Sequence, residues 1–267
     1  MIERPVPRPD MPGTLFLVAA APAPASSFER LYLLTGDCVS GPIEHVLPVG
    51  GACLPAPGLG AGEARRLRLF HFNDLHNNLT LLGRGVPDTP IFSQMLARVR
   101  RARREAQRHE VVLFLSGGDE HTGTVLDELV GWTPDEFAID PSYAVYSEAG
   151  VDAGALGNHE LDRGGAVLAR GIRTNARFPI LSANIHGSEF VTAGSDYFPA
   201  AIGIAKGLRI GLIGLTTTVD TRTRTSIDPD LVAARPVAVL HNLLPAVARL
   251  ADIVVVLSHC GYGDDGL

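Results

Sequence analysis

An alternation that begins near Ala64 constrains this chain most: short apolar runs of strand length recur between longer segments of helical period. The runs are Leu67–Phe72, Val111–Leu115, Ala153–Leu156, Ile180–Ala183, the pair Ala200–Ile204 and Leu208–Leu215, and Ile253–Leu257. Between them the spacing predicts helices around Ile91–Gln107, Tyr143–Ala149, Gly165–Thr174 and Val237–Leu250. Strands that alternate with helices build βαβ units, so the predicted class is α/β with a largely parallel sheet.

Residues 1–63 read differently. They are rich in Pro, Gly and Ala, with apolar runs at Leu15–Val18, Leu31–Leu34 and Val46–Val49, and they are expected to form a β-leaning extension. The run Pro55-Ala-Pro-Gly-Leu-Gly-Ala-Gly62 reads as a linker, which places the start of a second domain, residues 64–267, near Ala64. Thr14–Ala21 makes a poor secretory segment, because Arg4 and Arg8 are offset by Glu3 and Asp10 and prolines interrupt the leader. The expected location is cytoplasmic rather than periplasmic.

Composition narrows the partners. A formal charge of −6 offers nucleic-acid phosphates no broad basic footprint, and 46% hydrophobic content suits a sizeable core. No stretch has the run of about 18 apolar residues expected of a membrane-spanning helix. Cys38, Cys53 and Cys260 lie far apart, so neither a disulfide framework nor a zinc knuckle is expected. The dense basic cluster of Arg98, Arg100, Arg101, Arg103, Arg104 and Arg108 falls on a predicted helix whose Met95, Leu96 and Val99 would face the sheet, so it reads as a solvated face.

In an open α/β sheet, ligands gather beyond the carboxyl ends of the strands. Four such ends carry metal-ligand types: Asn73-Asp74-Leu75-His76, Ser116-Gly117-Gly118-Asp119, Gly157-Asn158-His159-Glu160 and Ser258-His259. If the strand conformation persists, Asp74 and His76 project from one face and grip a single ion. Carboxylate, imidazole and amide donors without thiolate favour Zn, Mn, Fe or Co. Asp74, His76, Asp119, Asn158 and His259 are more ligands than one tetrahedral ion requires, which points to two divalent metal ions with Asp119 as a plausible bridge. Such a pair lowers the pKa of a water held between the cations and offsets charge developing on a phosphoryl group.

In order and combination these motifs, with Leu181-Ser182-Ala183-Asn184, Ile213-Gly214-Leu215-Thr216-Thr217 and Ser258-His259-Cys260-Gly261, resemble the catalytic domain of the 5′-nucleotidase group of calcineurin-like metallophosphoesterases. The resemblance covers about residues 66–265. It implies a four-layer α/β/β/α sandwich, incomplete at the C-terminus. It also implies hydrolysis of nucleoside 5′-monophosphates or related nucleotides by a metal-held water. Asp74, His76 and Asp119 would hold one metal, and Asp119, Asn158 and His259 the other. His159 would act on the scissile phosphate or leaving oxygen, and Asp162 would orient it.

Three expectations follow from departures. His121, in Glu120-His121-Thr122-Gly123, is expected at the rim or behind the metal ligands, with contact to substrate phosphate as the alternative. The family's later Gly-His-x-His segment and its C-terminal substrate domain do not occur before Leu267. That leaves two further readings, a 2′,3′-cyclic-nucleotide phosphodiesterase and a non-catalytic metal- or nucleotide-binding remnant. A chain ending at Leu267 is also expected to expose a sheet edge beside Ile253–Leu257.

Overall fold

The computed structural model describes residues 11–54, 56, 64–82, 89–218 and 228–261. The linker run, apart from Ala56, lies outside the described residues. The strands are β1 (Thr14–Ala20), β2 (Arg30–Thr35), β3 (His45–Val49), β4 (Arg66–Phe72), β5 (Glu110–Ser116), β6 (Ala153–Ala155), β7 (Ile180–Leu181), β8 (Ile185–His186), β9 (Ala200–Ala205), β10 (Leu208–Thr216), β11 (Val232–Ala233) and β12 (Ile253–His259). The helices are α1 (Ile91–Glu105), α2 (Pro141–Ala149), α3 (Gly164–Asn175) and α4 (Pro236–Leu250).

Two main sheets form instead of the single largely parallel sheet that the alternation suggested. One runs β4-β5-β6-β7 and is parallel throughout; the other runs β12-β10-β9-β2-β1-β3 and is mixed. The difference arises where loops are too short for a crossover. Lys206 and Gly207, at φ 48° and 78°, close β9 onto β10 as a two-residue antiparallel hairpin. The predicted boundary near Ala64 does not divide the sheets, because β2 pairs antiparallel with β9, from Arg30↔Ile204 to Leu34↔Ala200. The extension is thus three strands of the mixed sheet, and Pro48 sits in its edge strand β3, the place in a sheet where proline is tolerated.

Period-2 alternation sorts the core into layers. Val111, Leu113 and Leu115 of β5 pack with Leu31, Leu33, Ile210 and Leu212 between the sheets. Phe72 and Phe114 turn outward to Val99 of α1, Tyr143 and Tyr146 of α2 and Leu168 of α3. On the opposite outer face, Ile213 and Leu215 meet Val239, Leu243 and Val247 of α4. The order of layers is α/β/β/α.

Local signals agree with this layout. α2 begins at Asp140, whose Oδ1 accepts from the Tyr143 N–H at 2.9 Å, and ends at left-handed Gly150. The arginine cluster departs from its reading at one position. Arg103 turns inward and donates to Asp152 Oδ2 at 2.7 Å and to the Gly150 carbonyl at 2.9 Å, while its neighbours stay exposed. β12 is an edge strand with Ile253 and Val256 exposed. Among the described residues, no helix is long and apolar enough to cross a membrane, and the three cysteines are free thiols.

Candidate metal centre

Parallel β4, β5 and β6 deliver their following loops to one edge. The β4 and β5 loops are laced by backbone bonds: Gly117 N–H to Phe72 O at 2.7 Å, Asp74 N–H to Gly118 O at 3.0 Å, His76 N–H to Asp119 O at 3.0 Å and Asn77 N–H to Glu120 O at 2.7 Å. The strand conformation does not persist past Phe72. Asp74, His76 and Asp119 have φ of 54°, 48° and 58°, left-handed values that L-residues adopt only where surrounding structure enforces them. Asp74 and His76 therefore reach the site through turns instead of strand alternation.

Ligand-type atoms of Asp74, Asp119 and His259 lie within 4.8 Å of one another. His259 Nε2 is 3.1 Å from Asp119 Oδ2, and His76 Nε2 is 3.7 Å from Asp74 Oδ1. Both imidazoles are oriented from behind. His259 Nδ1 donates to Gly117 O at 2.8 Å, and His76 Nδ1 faces the carbonyls of His121 and Thr122, each at 2.9 Å. Nδ1 bonds of this kind fix the tautomer that leaves the Nε2 lone pair facing the site. The donor set and its aim fit a divalent cation. Half-buried Asn158 opens the 3₁₀ turn His159–Leu161 directly after β6, and its side chain does not cap that turn.

His159 is held differently. Its N–H donates to Asp119 Oδ1 at 2.9 Å, its Nδ1 meets Asp162 Oδ2 at 2.7 Å, and its ring stands 5.1 Å from that of His76. Burial works against the imidazolium, but the Asp162 hydrogen bond and the charges of Asp119 and Asp162 outweigh it and raise the His159 pKa. His259 is pushed up to about 9, because its bond to Asp119 and that carboxylate's charge overcome burial. Burial opposes ionisation of Asp119 too, yet the His259 hydrogen bond, the His159 N–H and both imidazole charges hold its pKa below the usual value.

Three residues given no role by the sequence analysis prove structural to the site. Buried Glu160 accepts N–H bonds from Asp119 at 3.1 Å, Glu120 at 2.5 Å, His121 at 3.3 Å and Gly157 at 2.6 Å, tying two ligand loops to one carboxylate. Buried Asn184 donates to Thr216 O at 2.7 Å and accepts from its N–H at 2.8 Å, and Thr216 is the register partner of His259. Asp127 accepts N–H bonds from Thr122, Gly123 and Thr124 and so shapes the loop whose carbonyls hold His76. An acid beside His159 was visible in the sequence; its burial was not.

Of the positions expected for His121, the structure shows the one behind the metal ligands and not the rim or a phosphate contact. It is 2% exposed, and its Nε2 lies 2.7 Å from Asp140 Oδ2. Burial lowers its pKa, but Asp140 overrides that and pushes it up to about 9. It serves the site through its backbone, the carbonyl behind His76 and the N–H on Glu160. Glu120 is buried beside it, bonded to Ser116 and Tyr146, and burial with the Glu160 charge pushes its carboxyl up to about 8.

Comparison with known proteins places this arrangement. No family model matches the chain. The 5′-nucleotidase of Diplobatis ommata is 31% identical over 226 residues, which are 80% of this chain and 37% of that protein. A 5′-nucleotidase precursor from Thermus thermophilus superposes with a TM-score of 0.60 at 27% identity, covering 74% of this chain and 38% of that one. A calcineurin-like phosphoesterase from Bacillus subtilis shares the fold, with a TM-score of 0.58 at 22% identity over 73% of this chain and 62% of that one. The chain spans under half the length of the curated relatives it matches. With its α/β/β/α layers and its ligand-bearing strand ends, the chain belongs to the 5′-nucleotidase group, corresponds to the N-terminal catalytic domain of that group, and shares the fold of a calcineurin-like phosphoesterase.

Proposed function

We propose that this chain carries the metal-dependent centre of a phosphoester hydrolase acting on nucleoside 5′-monophosphates or related nucleotides. The observation that supports it best is the convergence of Asp74, Asp119 and His259 within 4.8 Å beside an imidazole already paired with a carboxylate. The names of the relatives support the same reaction class.

Asp74, His76 and Asp119 would hold one divalent ion, and Asp119, Asn158 and His259 a second, drawn from Zn, Mn, Fe or Co. Bound ions of this kind polarise a phosphoryl oxygen and lower the pKa of water. The protein's own part is proton handling and orientation. With Nδ1 donated to Asp162, His159 presents Nε2 as the proton-bearing atom, and the raised pKa keeps that proton available near neutrality for the leaving oxygen. Asp162 is a positioning residue that also favours the imidazolium. Glu160 keeps Asp119 and Asn158 on fixed loops, so that donors need no rearrangement on binding.

The test is phosphate release from adenosine 5′-monophosphate by the polypeptide that carries this chain. Release is expected with Mn²⁺, is expected to stop on exhaustive chelation, and is expected to fall by about 10²–10⁴ in His159→Ala. Turnover that survives both chelation and His159→Ala would overturn the proposal.

A further inference from the structure

A cavity of about 500 Å³ opens where β1, the loop after β2 and the segment around β8 meet. None of the residues proposed to hold metal lines it, nor does His159 or Asp162. Its size lies in the range of about 300–1,000 Å³ usual for small-molecule sites. Phe16 and Val18 point into it because they alternate with Leu15 and Leu17, which pack in the opposite layer against the α4 side. Ile185 and Tyr197 form the facing wall, and Tyr197 spends its hydroxyl on the Ile185 carbonyl at 2.8 Å, which leaves its ring as apolar surface.

The charge on the lining is one-sided. Among the described residues, Asp37 is the single acidic residue lining the cavity, and no lysine or arginine joins it. Asp37 Oδ1 accepts from the N–H groups of Val39 at 2.8 Å and Ser40 at 3.2 Å, which fixes the carboxylate in place. Burial disfavours its ionised form, but the hydrogen bonds from Ser40 and Val39 and the neighbouring His186 lower its pKa overall. A phosphate would meet the fixed Asp37 carboxylate here with the His186 imidazole as its counter-charge and no guanidinium or ammonium, so the lining does not suit the nucleotide proposed for the metal centre.

We propose that this cavity is a second site, which binds a small molecule with an apolar, preferably aromatic, body and an organic ammonium group. The body would lie against Phe16, Ile185 and Tyr197, and the ammonium would sit at Asp37. The selectivity comes from charge complementarity: one fixed carboxylate beside apolar walls rewards a cation and rejects an anion of the same shape.

The probes are tryptamine and indole-3-acetate, which share a ring and differ in charge, titrated into the full chain by saturation-transfer NMR. Tryptamine is expected to bind saturably and about tenfold more tightly than indole-3-acetate. Asp37→Asn retains the Oδ1 acceptor and removes only the charge. It should weaken tryptamine about threefold to fivefold, as expected for an exposed ion pair. Val18→Trp should fill the cavity and abolish binding of both probes; Ala193→Trp, at the exposed rim, does the same if the first variant is misfolded by circular dichroism. Equal affinity for the two probes, tryptamine binding unchanged by Asp37→Asn, or no saturable tryptamine binding below about 5 mM would overturn the proposal.

Discussion

The carboxylate of Glu160 accepts the backbone N–H of Asp119 at 3.1 Å, so a buried acid that faces away from solvent fixes the residue at the centre of the ligand cluster. The same carboxylate takes the Gly157 N–H at 2.6 Å, which joins the β5 and β6 loops through one side chain. Glu160→Gln substitutes an N–H₂ donor for one acceptor oxygen and turns it against backbone donors. The expected cost is about 1–3 kcal/mol, since buried donors lose their partner. Urea unfolding checks this; an unchanged midpoint would show that the four bonds carry no net stability.

Gly157 sits where no side chain fits. A Cβ there would collide with Asp119 Oδ1 and lie 2.5 Å from the Asp119 nitrogen. Gly157→Ala is therefore expected to displace Asp119 and to cost about 1–3 kcal/mol from overpacking. Thermal unfolding and Mn²⁺ titration calorimetry together read the two effects, and an alanine variant with native metal affinity would contradict the close approach.

Removing a ligand should act on metal uptake more than on the fold. Asp119→Ala is expected to weaken Zn²⁺ or Mn²⁺ binding by at least about 10–100-fold, the scale seen even for partners behind metal ligands. Asp252→Ala, which breaks the Arg209 ion pair at 2.7 Å on the far side of the fold, should leave metal affinity unchanged. Equal loss in both variants would point to general destabilisation.

Asp127 gives a pH test of sign. Burial raises its pKa, but the N–H groups of Gly123, Thr124 and Thr122 and the Asn77 amide lower it overall. A carboxyl with a depressed folded pKa adds stability above its unfolded value of about 3.9 and loses it as pH falls through the folded value. Asp127→Asn should cost about 1–3 kcal/mol near pH 7. The gap to wild type should close as the pH drops below the usual aspartate range. Urea midpoints that differ by a constant amount across that range would contradict this.

The convergence of three of the five expected ligands was legible in one dimension because parallel strands deliver their carboxyl ends to one edge. Reading Asn73-Asp74-Leu75-His76, Gly118-Asp119, Gly157-Asn158-His159 and His259 as strand-end motifs brought Asp74, Asp119 and His259 together on paper, and those residues do converge. The manner of convergence was not legible. Left-handed turns at Asp74 and His76 depend on backbone bonds to Gly118 and Asp119 from another loop, and local propensity carries no record of them. For His121 the sequence left the rim and a place behind the metal ligands both open; Asp140, at the start of another element, draws it inward.

The sequence by itself determined the element types and their order: apolar runs of strand length such as Val111–Leu115, and segments of helical period such as those around Tyr143–Ala149 and Val237–Leu250. These depend on neighbours within a few residues, where steric and hydrogen-bond preferences act directly. Only the tertiary structure decided that β2 pairs with β9, so that an apparent extension completes a core sheet, and that Glu160 is a buried anchor and not a surface acid. Those outcomes rest on contacts between residues distant in the chain, whose free energy appears only after the layers have closed and water has left the groups between them.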